Sequence, residues 1–233
     1  MYSDVFCRVY NELGWNYFPE AFAGELLQWL TQQGITVRTS LDLACGSGAL
    51  CEKLREAGIS PMGMDLSEGM IKVARGRCAD IPYEVADMRS FRTAQAVDLV
   101  TCTGDSLNHI LDFSQLEKVF RNVHVCLNPG GHFIFDILRE SEVPGTEPFD
   151  FPFDERITAR FSVEREGELI RLKVIVFENG EQQLEEVITE TLHDIDAVCA
   201  LLRGCGFEIL RRASSLTDDG HHGTTCYIIA KKK

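Results

Sequence analysis

The chain has 233 residues, 45% of them hydrophobic and 25% charged, enough for one globular α/β domain with an embellishment and a sizeable core. Asp and Glu outnumber Lys and Arg by 36 to 23, and the formal charge of -13 disfavours a polyphosphate partner such as nucleic acid. The nine cysteines are odd in number and never form a CxxC pair, which argues against a disulfide framework or a zinc ribbon and fits a reduced, cytoplasmic chain.

The polar start MYSDVFCRVYNEL lacks a signal-peptide pattern, and no run approaches the roughly 18 apolar residues of a membrane helix, so no membrane partner is expected. The segment PEAFAGELLQWLTQQG carries Phe22, Leu26, Leu27 and Leu30 at helical spacing between Pro19 and Gly34. Four strand-then-helix units follow. VRTSLDLAC leads to a helix near residues 48–57, and SPMGMDL leads to a helix with Ser67 as N-cap. IPYEVAD is a third strand before a short irregular piece. AVDLVTCTG is a fourth, and Ser114 with Glu117 forms a capping-box pattern ahead of Leu116, Val119, Phe120 and Val123. NPGG is expected to stop that helix, and HFIFDI to be a fifth, fully covered strand.

Beyond this the pattern changes. A Pro-rich stretch at 143–152 gives way to the alternation of ITARFSVE and of ELIRLKVIVFENGEQQLEEVITETL, whose Asn179-Gly180 pair marks a hairpin, so an antiparallel β insertion is expected. A helix from Asp194 to Gly204 and the strands FEILRRAS and TCYIIAKK complete the sheet. The expected fold is α/β: a doubly wound sheet with the antiparallel insertion after the fifth strand, its ligands outside the carboxyl ends of the strands. The expected division is an N-terminal helical lid over 1–34, a cofactor-binding core over 35–140, the insertion over 141–193 and the last helix and strands over 194–233.

The turn LDLACGSGAL sits at such an end. Ala44, Gly46 and Gly48 let the backbone approach a ligand, but a dinucleotide turn of the G-x-G-x-x-G kind would not have Ala44 first and Cys51 last, and Asp42 is unhelpful beside a pyrophosphate. Asp42 suits orienting the turn or meeting an ammonium group. Asp65, ending the second strand, stands where a carboxylate meets ribose hydroxyls, and Asp87 with Met88 ends the third strand where an adenine amino group and ring could be met.

The order LDLACGSG, GMDLS, VADMRSF resembles class I S-adenosylmethionine-dependent methyltransferases, well over residues 37–140 and more loosely to the final strands. RVYNELGWNYFPEAFAGELLQWL, TCTGDSLNHI and the insertion look similar to small-molecule enzymes of that class, amino-sugar N-methyltransferases among them. The resemblance implies a Rossmann-like sheet that binds S-adenosyl-L-methionine, releases S-adenosyl-L-homocysteine and methylates an N or O atom of a small polar molecule. It implies Asp42, Ala44, Cys45, Gly46 and Gly48 around the methionine part, Asp65 and Leu66 at the ribose, Asp87 and Met88 at the adenine and Thr103 at the end of strand four. Tyr10 and Tyr17 would belong to a lid; Asp105, Ser106, Asn108 and His109 would face the acceptor, with His109 as base and Asp105 orienting the acceptor or favouring a cationic one.

Plainer readings stand beside these. Asp87 can cap its own turn, His109 can be a packed histidine, Ser106 and Asn108 can make a local turn, and Trp15 reads as packing. Cys45 has no evident use in sulfonium chemistry; Glu178 to Glu190 reads as the solvated face of a strand; His221 and His222 read as a polar hairpin tip, with no metal expected. The apolar residues Ile157, Phe161, Val174 and Val176 must be covered by the acceptor, the core or a second subunit, so a homodimer through the insertion is one expectation. A cofactor-binding scaffold without catalysis and an RNA-modifying enzyme are the alternatives, the latter disfavoured by the lack of a basic tract beyond Lys231 to Lys233.

Overall fold

Residues 3, 6, 7, 10, 14–138, 146–217 and 225–233 are described in a computed structural model. His221 and His222 lie outside them. Helices α1 (Tyr17–Gln32), α2 (Ala49–Glu56), α3 (Glu68–Arg77), α4 (Leu116–Cys126) and α5 (Ile195–Gly204) alternate with strands β1 (Thr39–Leu43), β2 (Ser60–Asp65), β3 (Tyr83–Val85), β4 (Val97–Cys102) and β5 (Leu127–Leu138) before the insertion, and with β10 (Phe207–Ala213) and β11 (Thr225–Lys232) after it. These strands form one sheet in the order β3-β2-β1-β4-β5-β11-β10. Parallel pairing runs from β3 through β5, and the order reverses between β1 and β4, the switch at which such sheets open a ligand crevice. The sheet is not wholly parallel, because β11 inserts antiparallel to both β5 and β10.

Both faces are covered. Phe22, Leu26, Trp29 and Leu30 of α1 pack with Leu50 and Leu54 of α2 over Leu99, Ile134 and Ile229, while Val119, Phe120 and Val123 of α4 and Val198 and Leu202 of α5 pack the other face over Val100, Phe133 and Phe135. The helical part of segment 1–34 is therefore a layer of the core as much as a lid. Only the start of α1 reaches the crevice.

Local signals hold in part. Ser67 caps α3, its hydroxyl accepting from the Met70 amide at 3.3 Å, a contact contributing about 1 kcal/mol. The expected capping box at Ser114 does not form: Asp112 accepts from the Ser114 amide at 2.9 Å, and Glu117 turns to Arg121 instead of reaching back. Asp112 supplies the same acceptor two residues earlier, and a short 3-10 turn, Phe113–Gln115, fits between it and α4. NPGG does not separate α4 from the strand. It bulges within β5, whose pairing with β4 jumps from Val97↔Leu127 to Leu99↔His132.

The insertion is a second sheet, ordered β6 (Thr146–Pro152), β7 (Ile157–Glu166), β8 (Leu169–Glu178) and β9 (Glu181–Thr191), all antiparallel. Most of the Pro-rich stretch is thus a strand: Pro148 and Pro152 are tolerated because β6 is an edge, where a missing N–H need break no ladder. Ile157, Val174, Val176, Leu184 and Ile188 bury against Phe6, Cys7 and Met70, so the N-terminal segment and the core cover the insertion's inner face.

Candidate functional site

The crevice at the carboxyl ends of β1, β2 and β4 is a cavity of about 430 Å³. That is within the usual range for small-molecule sites, roughly 300–1,000 Å³. Its floor is the turn after β1. Ala44 has φ +56° and Gly46 φ +52°, so the chain reverses through left-handed conformations, and a Cβ placed on Gly46 would meet nothing within 4 Å. The backbone there is bare toward the cavity. Gly48 differs: at φ +76° it starts α2, and a Cβ on it would lie 2.5 Å from the Tyr83 hydroxyl. Gly48 is a packing glycine behind the turn and does not line the cavity. Gly63 clears the other side of the same ring, where a Cβ would lie 2.6 Å from Tyr83 Cδ1.

Carboxylates brace this floor. Asp65 accepts from the Gly46 amide at 2.9 Å and from the Ser67 amide at 2.8 Å, so one side chain at the end of β2 holds the turn and the start of α3. Burial nevertheless raises its pKa, opposed by those amides. Asp42, 3% exposed, accepts from the Thr101 hydroxyl at 2.7 Å, tying β1 to β4 beneath the turn. Burial pushes Asp42 up to about 7, opposed by Thr101 and reinforced by Asp65.

Of the other residues singled out from sequence, Tyr10, Ala44, Cys45, Gly46, Leu66, Asp87, Met88, Thr103, Ser106 and His109 line the cavity. Tyr10 packs edge-on to Phe6 and Trp15, and burial lifts its phenol to about 12. Tyr17 does not join them. It is 79% exposed at the start of α1, and Phe18 and Pro19 line the cavity in its place, since successive helical residues face different ways. Asp87 also fills the plainer role: it accepts from the Arg89 amide at 2.8 Å and forms a two-pronged pair with the Arg89 guanidinium, which lowers its pKa.

Asp105 corrects the sequence reading most. It has φ +59° and does not line the cavity; its amide donates to Asp136 at 3.3 Å, which brings the two acidic residues together. Oδ1 of each is buried without a hydrogen-bond partner among the described residues. Burial lifts Asp105 to about 6 and Asp136 well above its ordinary range, so the pair retains a proton near neutrality. Asn108 is also turned inward: its amide donates to the Thr191 carbonyl at 2.7 Å and its carbonyl accepts from the Leu138 amide at 3.1 Å, which ties the insertion to β5.

The remaining wall was not legible. Glu186, Val187, Ile188 and Thr189, from the free edge of β9, close the cavity. Glu190 lies beside His109, with Oε1 3.6 Å from Nε2. Burial pushes Glu190 up to about 8, reinforced by Asp105, and pushes His109 down, opposed by a hydrogen bond to the Thr189 backbone. The acidic run is therefore only half a solvated face: Glu181 and Glu185 are exposed, whereas Glu186 lines the cavity and Glu190 lies against His109. The strand's alternation gave the two faces without saying what either covered.

All nine cysteines are free and buried, Cys45 and Cys51 with thiols raised by burial, and among the described residues no group of three His, Cys, Asp or Glu could hold a metal ion. Among them, too, no helix is long and apolar enough to cross a membrane.

Comparison with known proteins gives this crevice its context. The methyltransferase-domain family matches residues 41–131. The chain is 28% identical over 130 residues to a dTDP-4-amino-2,3,4,6-tetradeoxy-D-glucose N,N-dimethyltransferase of Saccharopolyspora spinosa, a match covering 56% of this chain and 51%, about half, of that relative's length. A putative methyltransferase of Bacillus subtilis is 27% identical over 225 residues, covering 91% of this chain and 89% of its own. The S-adenosylmethionine-bound structure of CalS10, an amino pentose methyltransferase from Micromonospora echinaspora, superposes with a TM-score of 0.79 at 19% identity over 100% of this chain and 98% of that one, a likeness of fold. Residues 41–131 match a methyltransferase domain on a Rossmann-like sheet, and along most of its length the chain is similar to proteins named as methyltransferases.

Proposed function

We propose that the chain methylates the nitrogen of a small polar amine, with amino sugars as the substrate class. The observation that carries this is the sign of the cavity: Asp42 and Asp65 on its floor and Glu186 on its outer wall are carboxyls, Glu190 stands beside the lining residue His109, and the Arg89 guanidinium is taken up by Asp87. Such a wall suits a sulfonium cofactor and a cationic acceptor. Two of the similar proteins are named as acting on amino sugars, which supports the same class.

The residues present fit the cofactor. Gly46 lines the cavity with open space where a Cβ would stand, and Asp65 offers a ribose the lone pairs that Gly46 and Ser67 do not use. Ala44, Cys45, Gly46 and Asp42 would take the methionine part, Asp65 and Leu66 the ribose, and Asp87 and Met88 the adenine; Tyr10 would cover it. When bound, the cofactor supplies a positively charged sulfonium whose methyl group is open to in-line displacement. The protein's part is to hold a neutral nitrogen in line with it and exclude water. His109 is placed to receive the proton that the amine gives up, and Thr103 and Ser106 border the same space.

The same proposal covers the partners and the compartment. A small molecule is the substrate, nucleic acid is disfavoured by the charge of -13, and a reduced, cytoplasmic setting suits nine free thiols. A homodimer through the insertion is supported by Phe149 and Phe151, both about half exposed on the edge strand β6.

The test is methyl transfer from labelled S-adenosylmethionine to a panel of free and nucleotide-linked amino sugars, each paired with the hydroxyl analogue, read by mass spectrometry. Label on the amines is the expected result. Label on hydroxyls alone, or intact cofactor binding with no transfer to any acceptor, would overturn the amine reading.

A further inference from the structure

The outer wall is the free edge of an antiparallel sheet, and the proton-accepting histidine is attached to it rather than to the Rossmann-like core alone. His109 stands in the 3-10 turn Ser106–His109, yet its ring donates to the Thr189 backbone of β9 and faces the Glu190 carboxyl at 3.6 Å. Asn108 fastens the same strand one residue away, through the Thr191 carbonyl. The position of His109 is thus set jointly by β4's loop and by β9.

We propose that Glu190 is a positioning residue that acts through His109 and selects an amine over a hydroxyl acceptor, the two side chains together taking up the one proton that an ammonium group must lose. This rests on the amine-methylation reading above.

Among the described residues the charged and titratable groups around the pair are few. On β9 itself Glu186 lies on the same face, its carboxylate accepting from the Ser3 amide at 3.3 Å. Across the loop after β4 stands Asp105, with Asp136 behind it; past the end of β9 is His193; on β8 the register partner of Glu190 is Ile170, and the neighbouring Arg171 is turned to Glu166 at 3.3 Å. Carboxyls dominate, so burial and like charge both favour the neutral pair over the anionic one. An ammonium ion reverses that preference, because its charge meets the anionic pair at short range.

The balance is simple. The anionic pair, neutral His109 with Glu190 carboxylate, receives R–NH3⁺; one N–H bond breaks, and the proton ends shared between imidazole and carboxyl. The pair becomes neutral, and the nitrogen regains the lone pair it needs. The proton passes to water as product leaves. A hydroxyl acceptor brings no positive charge and gains nothing from the anionic pair.

The experiment measures the pH profile of kcat/KM for an aminohexose acceptor with wild type, Glu190→Gln and Glu190→Asp, with S-adenosylmethionine affinity by calorimetry. Glu190→Gln is expected to raise the acceptor KM tenfold or more and to move the acid limb down by about one pH unit, toward that of a lone histidine, with cofactor affinity unchanged. Glu190→Asp should recover part of both. An unshifted limb with unchanged KM, or a uniform loss of kcat that Asp does not relieve, would overturn the proposal while leaving amine methylation intact. Wild type that methylates only hydroxyls would bring down both.

Discussion

The Gly46 amide donates to the Asp65 carboxylate across 2.9 Å, joining the turn after β1 to the end of β2. One carboxylate thus shapes the backbone that a cofactor would rest on and faces the cavity with its unused lone pairs.

Asp65→Ala is expected to remove two charge-assisted hydrogen bonds to backbone amides, of which each contributes about 1.5–3 kcal/mol. Cofactor affinity should fall at least tenfold, measured by titration calorimetry. An unchanged affinity would show that Asp65 serves the turn without serving the ligand.

Gly46→Ala and Gly48→Ala separate two uses of glycine. Both carry positive φ, so each alanine costs about 1–2 kcal/mol of backbone strain. Gly48→Ala adds a clash with the Tyr83 hydroxyl, and should lower the thermal midpoint more. Gly46→Ala points its methyl into the cavity and should weaken cofactor binding more than it weakens the fold. Equal losses of stability in the two would count against this division.

The pH dependence has a definite sign. Burial lifts Asp42 from 3.8 to about 7, so the folded chain holds this proton more tightly than the unfolded chain does. Its contribution is full below the unfolded value and is lost as pH rises through about 7, by at most roughly 4 kcal/mol over that span. Asp105, to about 6, and Glu190, to about 8, act in the same sense. Stability from urea unfolding should therefore fall between pH 5 and pH 8, and Asp42→Asn should flatten part of the slope. Parallel slopes for wild type and variant would refute the assignment.

Asn108→Ala should unfasten the insertion. It leaves the buried Thr191 carbonyl and Leu138 amide without their partner, at about 1–3 kcal/mol each. Hydrogen exchange at the Leu138 amide should quicken, and acceptor KM should rise more than cofactor affinity falls, since β9 is the wall on the acceptor side. Unchanged exchange would mean that the insertion is held elsewhere.

What the sequence determined by itself was local and periodic. The apolar runs gave the strands, Ser67 its helix and Asn179-Gly180 its hairpin, and the small residues of LDLACGSG with Asp65 and Asp87 marked successive strand ends, because each signal depends on chemistry within a few residues. Tertiary structure decided which side of a turn or strand a residue shows. It sent Gly48 toward Tyr83, Tyr17 into solvent and Asp105 down to Asp136, none of which spacing could reveal. It also folded β9 back so that its edge closes the cavity with Glu186 and puts Glu190 beside His109. Residues 109 and 190 meet only because two sheets pack, and a contact between elements so far apart in the chain leaves no mark on the periodicity of either.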